Sequence, residues 1–132
     1  KESIRPSFLF TIKENSKPDT LISLTNNKFK TKIINLGVIS EKKCLENINC
    51  SRYLIYPSRF ESLGLPLIEA NILNIPIISS DEEYVNEVCE PIATFDSLSI
   101  EETKKIIKKF YFKTNVTPPK KSYKSNNFLE LL

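Results

Sequence analysis

The sequence predicts an α/β domain, a parallel sheet with helices on both faces. Three observations predict it. Short β-branched and aromatic runs alternate with stretches of helical spacing along most of the chain. Clusters of Ser, Asn, Asp, Gly and Pro punctuate the alternation. The composition, 40% hydrophobic and 27% charged over 132 residues, is that of a globular domain able to bury a core without disulfides or metal.

The elements follow in order. Phe8-Leu9-Phe10-Thr11-Ile12 is a strand by residue type, and Lys13 to Lys17 is a polar turn. Pro18-Asp19 opens a helix through Asn26, with Leu21, Ile22 and Leu24 inward. Lys32 to Leu36 is a second strand, closed by Gly37. Ser40 is an N-cap for a helix from Glu41 to Asn49, its Cys44, Leu45 and Ile48 facing inward. Tyr53 to Tyr56 is a third strand. Leu65 to Leu73 has helical spacing, and Asn74 stands where a left-handed residue ends a helix. Ile75 to Ser79 is a fourth strand, Asp81 caps a helix from Glu82 to Cys89, and Ile92 to Phe95 is a fifth strand. Ser99 and Glu102 form a capping box for a helix to about Phe112, striped by Ile100, Ile106, Ile107 and Phe110. Residues 1–115 then make one domain. Residues 116–132 make a linker, Thr117-Pro118-Pro119-Lys120-Lys121, and a short helix from Phe128 to Leu132.

The stretch from Ser58 to Gly64 joins the third strand to the next helix, and it carries one of only two glycines. Gly64 has no Cβ and reaches φ > 0, which also lets backbone approach a ligand closely. Pro66 suits a first helical position, where no N–H is needed. The N–H groups near Leu63 to Leu65 are then unpaired and, with the helix dipole, favour an anion such as a phosphate. Glu61 and Glu69 flank this site, where each would accept hydrogen bonds from sugar hydroxyls. The same residues also fit a plainer reading: Ser58 and Glu61 match a capping box, and Glu69 matches a solvated helix residue.

Composition excludes other classes. With no histidine, Ser-His and Cys-His catalysis and the commonest metal ligand are absent. Cys44, Cys50 and Cys89 show no Cys-x-x-Cys spacing and read as free thiols, small core residues of a reducing compartment. A net charge of +3 is mild, and no zinc-finger or RNA-binding spacing appears, so nucleic acid is not a predicted partner. No apolar run is long enough to span a bilayer.

The string Pro57, Ser58, Glu61, Gly64, Leu65, Pro66, Glu69 resembles the signature of group 1 retaining glycosyltransferases of family 4, in the C-terminal, donor-binding domain of the GT-B fold. The resemblance implies a Rossmann-like domain that transfers a hexosyl group from a nucleoside-diphosphate sugar to an acceptor hydroxyl with retention. It implies catalytic Glu61 near the transferred sugar, and Ser62, Leu63, Gly64 and Leu65 at the donor sugar and diphosphate. Glu69 falls at the ribose, and Ile39 and Glu41 fall at the base; Ile39 also reads as a plain core residue. It further implies no cofactor and no metal, the nucleotide sugar being substrate. The acceptor, a glycan or glycolipid, would be bound by an N-terminal domain upstream. The implied setting is cytoplasmic, at the inner face of the membrane, in cell-surface polysaccharide or glycolipid biosynthesis.

The likeness is incomplete. The family's diphosphate-neutralising Arg and Lys have no match, so the first strand, its helix and that pair are expected upstream. Residues 1–132 alone are then expected to bind donor weakly and to transfer nothing. Asn74 replaces a usual Gly, and Glu82-Glu83-Tyr84 follows Asp81 in place of a Gly pair. A non-catalytic nucleotide-binding module and a sugar-nucleotide epimerase of the same architecture remain alternatives.

Overall fold

Strands and helices alternate through the whole of the computed structural model, which describes residues 7–29, 32–111, 113, 116 and 117. The order is β1 (Phe8–Phe10), α1 (Lys17–Phe29), β2 (Ile33–Asn35), α2 (Glu41–Asn49), β3 (Leu54–Tyr56), α3 (Leu65–Ile72), β4 (Ile77–Ser80), α4 (Glu83–Val88), β5 (Ala93–Phe95) and α5 (Ile100–Tyr111). All strand pairs are parallel. The chain divides into two compact units, Lys1–Cys44 and Leu45–Leu132. Most of the expected linker beyond Thr117, and the helix expected at Phe128 to Leu132, lie outside the described residues.

In the first unit β1 and β2 form a two-stranded sheet, with Leu9 opposite Ile34. Ser16 caps α1, accepting the Asp19 N–H on Oγ at 3.4 Å, so the helix begins at Lys17 rather than Pro18. Pro18 falls in the first turn, where its missing N–H costs nothing. The helix also outlasts the expected Asn26, whose side-chain amide instead bonds Ile33, donating to the carbonyl at 2.6 Å and accepting from the N–H at 3.0 Å. Leu21 and Leu24 were expected inward. They are 63% and 61% exposed, and only Ile22 of the three is half-buried. A helix covering so short a sheet buries one narrow stripe, and the two leucines lie off it.

The second unit holds a three-stranded sheet in the order β3-β4-β5. Its middle strand is buried along its whole length. Successive strand residues point to opposite faces, so both faces are covered. One face carries the core of Ile78, Phe95 and Phe110, with Tyr53, Ile55 and Ile106 packed against it. Tyr53 meets the Phe110 ring edge-on at 5.8 Å. Leu67 and Ile68 of α3, Val85 of α4 and Cys89 are fully buried, and α3 contacts β3, β4 and α4.

Boundaries moved where backbone chemistry outweighed residue type. Asn74 is left-handed at φ 56, as expected. The Ile75 N–H then bonds the Ala70 carbonyl at 2.8 Å, and the Asn74 N–H bonds that of Asn71 at 3.2 Å. This paired closure of a helix end consumes Ile75. Pro76 has no N–H to give a ladder, so β4 begins at Ile77, not Ile75.

Ser40 caps α2 through the Lys43 N–H at 3.3 Å, as expected. Asp81 does not cap α4; Glu82 occupies that position, and its side chain makes no capping bond. Ser99 accepts the Glu102 N–H at 3.2 Å, but the Glu102 carboxylate reaches one turn out, to the Asp96 N–H at 3.0 Å. Ile100, expected on the inner stripe, is exposed at the mouth of α5. The cysteines are free thiols, yet Cys50 is exposed, Cys44 half-buried and only Cys89 in the core.

Candidate functional site

The turn between β3 and α3 is anchored at its base and open above it. The Ser58 carbonyl accepts the Tyr84 hydroxyl at 2.8 Å and the Ser80 hydroxyl as well. Two elements, α4 and the end of β4, therefore fix one backbone oxygen. From that point Ser58 Oγ donates to Glu61 Oε1 at 2.9 Å. No helix runs through Ser58 to Glu61, so this pair is a side-chain bond and not a capping box.

The last residue of β3 lies beside the same carboxylate. Tyr56 is partly buried, with its phenol close to Glu61. Burial first, and the Glu61 carboxylate second, push the phenol well above its ordinary range. It keeps its proton at any physiological pH. Glu61 thus receives one hydroxyl hydrogen bond, from Ser58 of the turn itself, with the neutral phenol at the strand end beside it. A carboxylate held in this way keeps one orientation without a fixed positive partner.

Arg59 leaves the turn on the other side. Its Nε donates to Glu82 Oε1 at 3.3 Å, and its guanidinium carbon lies 5.3 Å from the centre of the Phe60 ring. Phe60 itself is 83% exposed. Together with Tyr84 these residues line a cleft of about 380 Å³, whose walls are Arg59, Phe60, Glu61, Ser62 and Tyr84.

Gly64 precedes α3 in the left-handed conformation, φ 61 and ψ 50, with no side-chain cap. It is buried, and a Cβ there would stand 3.1 Å from Leu67 Cδ1. The glycine is thus required by the bend and by packing under Leu67 and Tyr84, independently of any ligand. Pro66 sits at the second helical residue rather than the first, where an N–H is equally unneeded. The N–H groups of Ser62, Leu63, Gly64 and Leu65 have no hydrogen-bond partner among the described residues. They are the free donors of this helix start.

The structure therefore brings Glu61 and Ser62 into one cleft; Leu63, Gly64 and Leu65 follow them in the chain but do not line it. Glu69 is half-buried on α3 and does not line that cleft. Ile39 is half-buried and Glu41 exposed, in the first unit, at the capped start of α2. Sequence reasoning passed over Arg59, Phe60, Tyr56 and Tyr84. The first two stand inside the signature string itself. Tyr84 reaches Ser58 across 26 residues, a contact no local pattern announces.

Parallel α/β domains that carry a ligand beyond the carboxyl ends of their strands are the class this fold and cleft define. The chain belongs to the glycosyl transferases group 1 family, whose family model matches residues 4–115. Comparisons with curated proteins and with solved structures gave no match. The domain is thus a glycosyltransferase domain of Rossmann-like architecture, and the turn lies within the matched region. Its chemistry takes a glycosyl donor and an acceptor. No helix among the described residues is long and apolar enough to cross a membrane.

Proposed function

We propose that this chain is the donor-binding domain of a retaining GT-B glycosyltransferase of family 4, with a nucleoside-diphosphate sugar as donor. The observation that carries the reading is the orientation of Glu61. Ser58 bonds its carboxylate at 2.9 Å at the wall of a cleft, with the Tyr56 phenol close by, and N–H groups without a partner among the described residues follow at the start of α3. The match over residues 4–115 supports treating residues 1–115 as one nucleotide-sugar-binding domain.

The proposed chemistry follows from charge. As the glycosidic bond to the diphosphate breaks, negative charge grows on the leaving oxygen. The α3 dipole and the N–H groups of Ser62, Leu63, Gly64 and Leu65 stabilise that charge where it develops. Glu61 accepts hydrogen bonds from hydroxyls of the transferred sugar and fixes its ring. Glu69 holds the ribose, and Ile39 and Glu41 contact the base. Attack by the acceptor hydroxyl on the face the leaving group vacates, its proton passing to the departing diphosphate oxygen, retains configuration and needs no protein nucleophile. Hexosyl transfer in cell-surface polysaccharide or glycolipid assembly is the setting proposed.

Thermal melts of the 132-residue chain with uridine, guanosine and adenosine diphosphates test this directly. A ligand at a hundred times its dissociation constant adds about 2.7 kcal/mol of stability. Glu69→Ala is expected to erase the shift. A chain that responds to none of the three diphosphates contradicts the proposal.

A further inference from the structure

We infer that Arg59 is a cation that meets the diphosphate of the donor in the β3–α3 cleft, in addition to the pair expected upstream, a deepening that rests on the reading above. The inference starts from a deficit of charge. A diphosphate is multiply anionic, and the cleft proposed for it already holds the Glu61 carboxylate. Like charges at contact distance disfavour binding unless a cation stands between or beside them. Arg59 is the one basic side chain lining this cleft among the described residues.

Its geometry fits that task. Glu82 engages only Nε, at 3.3 Å, and the guanidinium sits 5.3 Å from the Phe60 ring centre. These two contacts fix the side chain from its inner edge and its face. The two terminal nitrogens have no partner among the described residues. They form the planar fork that matches two phosphate oxygens at once. The side chain is 43% exposed, so the fork is wet and reachable, while Glu82 is 29% exposed and acts as its tether. A lysine, with its round and strongly hydrated head, would lose both the tether and the stacking.

The same contacts have a purely mechanical reading, in which Arg59 merely straps the turn to α4. Phosphate counting separates the two. Affinities are measured by calorimetry for the nucleoside, its monophosphate and its diphosphate, with uridine, guanosine and adenosine as bases. Arg59→Gln is expected to weaken the diphosphate about ten- to hundredfold, the monophosphate less and the nucleoside not at all. Arg59→Lys is expected to fall between wild type and Arg59→Gln. Glu82→Gln strips the strap of its charge but keeps the cation, and is expected to leave diphosphate affinity unchanged or tighter.

Equal losses for nucleoside and diphosphate in Arg59→Gln, or a Glu82→Gln variant as weak as Arg59→Gln, overturn the inference in favour of the strap. Full diphosphate affinity in Arg59→Gln overturns it alone. A wild-type chain that binds none of the nine probes removes the donor reading and this inference with it.

Discussion

Two turns in this molecule each connect a strand to a helix, and they are built on opposite plans. The turn after β1 is closed on itself. Asn35 Oδ1 accepts the N–H groups of Ile12 at 3.0 Å and Gly37 at 3.1 Å, while its Nδ2 donates to the Ile12 carbonyl and to Asp19 at 2.9 Å each. Asp19 in turn accepts the Asn15 N–H at 3.0 Å. The turn after β3 is bound at its foot, where Tyr84 and Ser80 meet the Ser58 carbonyl, and on one side by the Arg59–Glu82 pair. Beyond that foot it leaves four N–H groups without a partner among the described residues, and Phe60 in solvent. Folding alone rewards the first plan. The second leaves donors idle in the free protein, and idle donors beside an oriented carboxylate are what a polar ligand needs.

That contrast is open to experiment, beginning with the largest effect. Asn35→Ala removes the Ile12 and Gly37 bonds together and should cost about 2–3 kcal/mol of stability in urea melts. Donor contacts in the β3–α3 cleft should be unaffected in the folded fraction. Glu61→Ala should do the reverse. It should weaken a nucleotide sugar about tenfold or more relative to the bare diphosphate, while the melting temperature hardly moves. If Glu61→Ala unfolds the chain and leaves sugar discrimination intact, the two turns are not different in kind.

Smaller effects sharpen the comparison. Gly64→Ala forces a Cβ into a left-handed residue, which costs about 1–2 kcal/mol, and presses it on Leu67. Circular dichroism melts should show that loss before any ligand is added. Acid should act on the closed turn. The hydrogen bonds from Asn35 and Asn15 hold the Asp19 carboxyl below its ordinary 3.8. Its contribution is therefore complete above that value and fades as pH falls through the lowered one. Hydrogen exchange at Asn15 should rise in that window, and Asp19→Asn should abolish the pH dependence. At the bottom of the scale, Lys104→Ala breaks an exposed pair with Glu101 and should change stability by less than about 0.5 kcal/mol.

What the sequence disclosed was whatever depends on near neighbours. Ser40, Ser99 and Asn74 terminate helices by bonds within a few residues, and all three were readable. The alternation of strand and helix was readable for the same reason. Asp81 and Ile75 were misplaced because two adjacent residues compete for each role, and only backbone geometry decides. Leu21, Leu24 and Ile100 were misread because helical spacing tells which residues share a stripe, not how wide a stripe the sheet covers. In the site, Glu61, Ser62 and Gly64 lay within one short string. Their supports did not: Arg59 finds Glu82 across 23 residues, and Tyr84 finds Ser58 across 26. The sequence named the carboxylate and Ser58 beside it, but not the distant groups that hold the Ser58 backbone in place.

The closeness of Tyr56 to the Glu61 carboxylate has an optical consequence. The chain has five tyrosines and no tryptophan, so phenol emission is not masked by indole. A phenol beside a carboxylate emits weakly, and it brightens when that carboxylate turns to another donor. On the donor reading proposed above, a carbohydrate hydroxyl bound at Glu61 draws the carboxylate away, so occupancy should be followed as a rise in tyrosine fluorescence. Tyr56→Phe should silence that signal, and the protein then needs no attached dye to report its own filling.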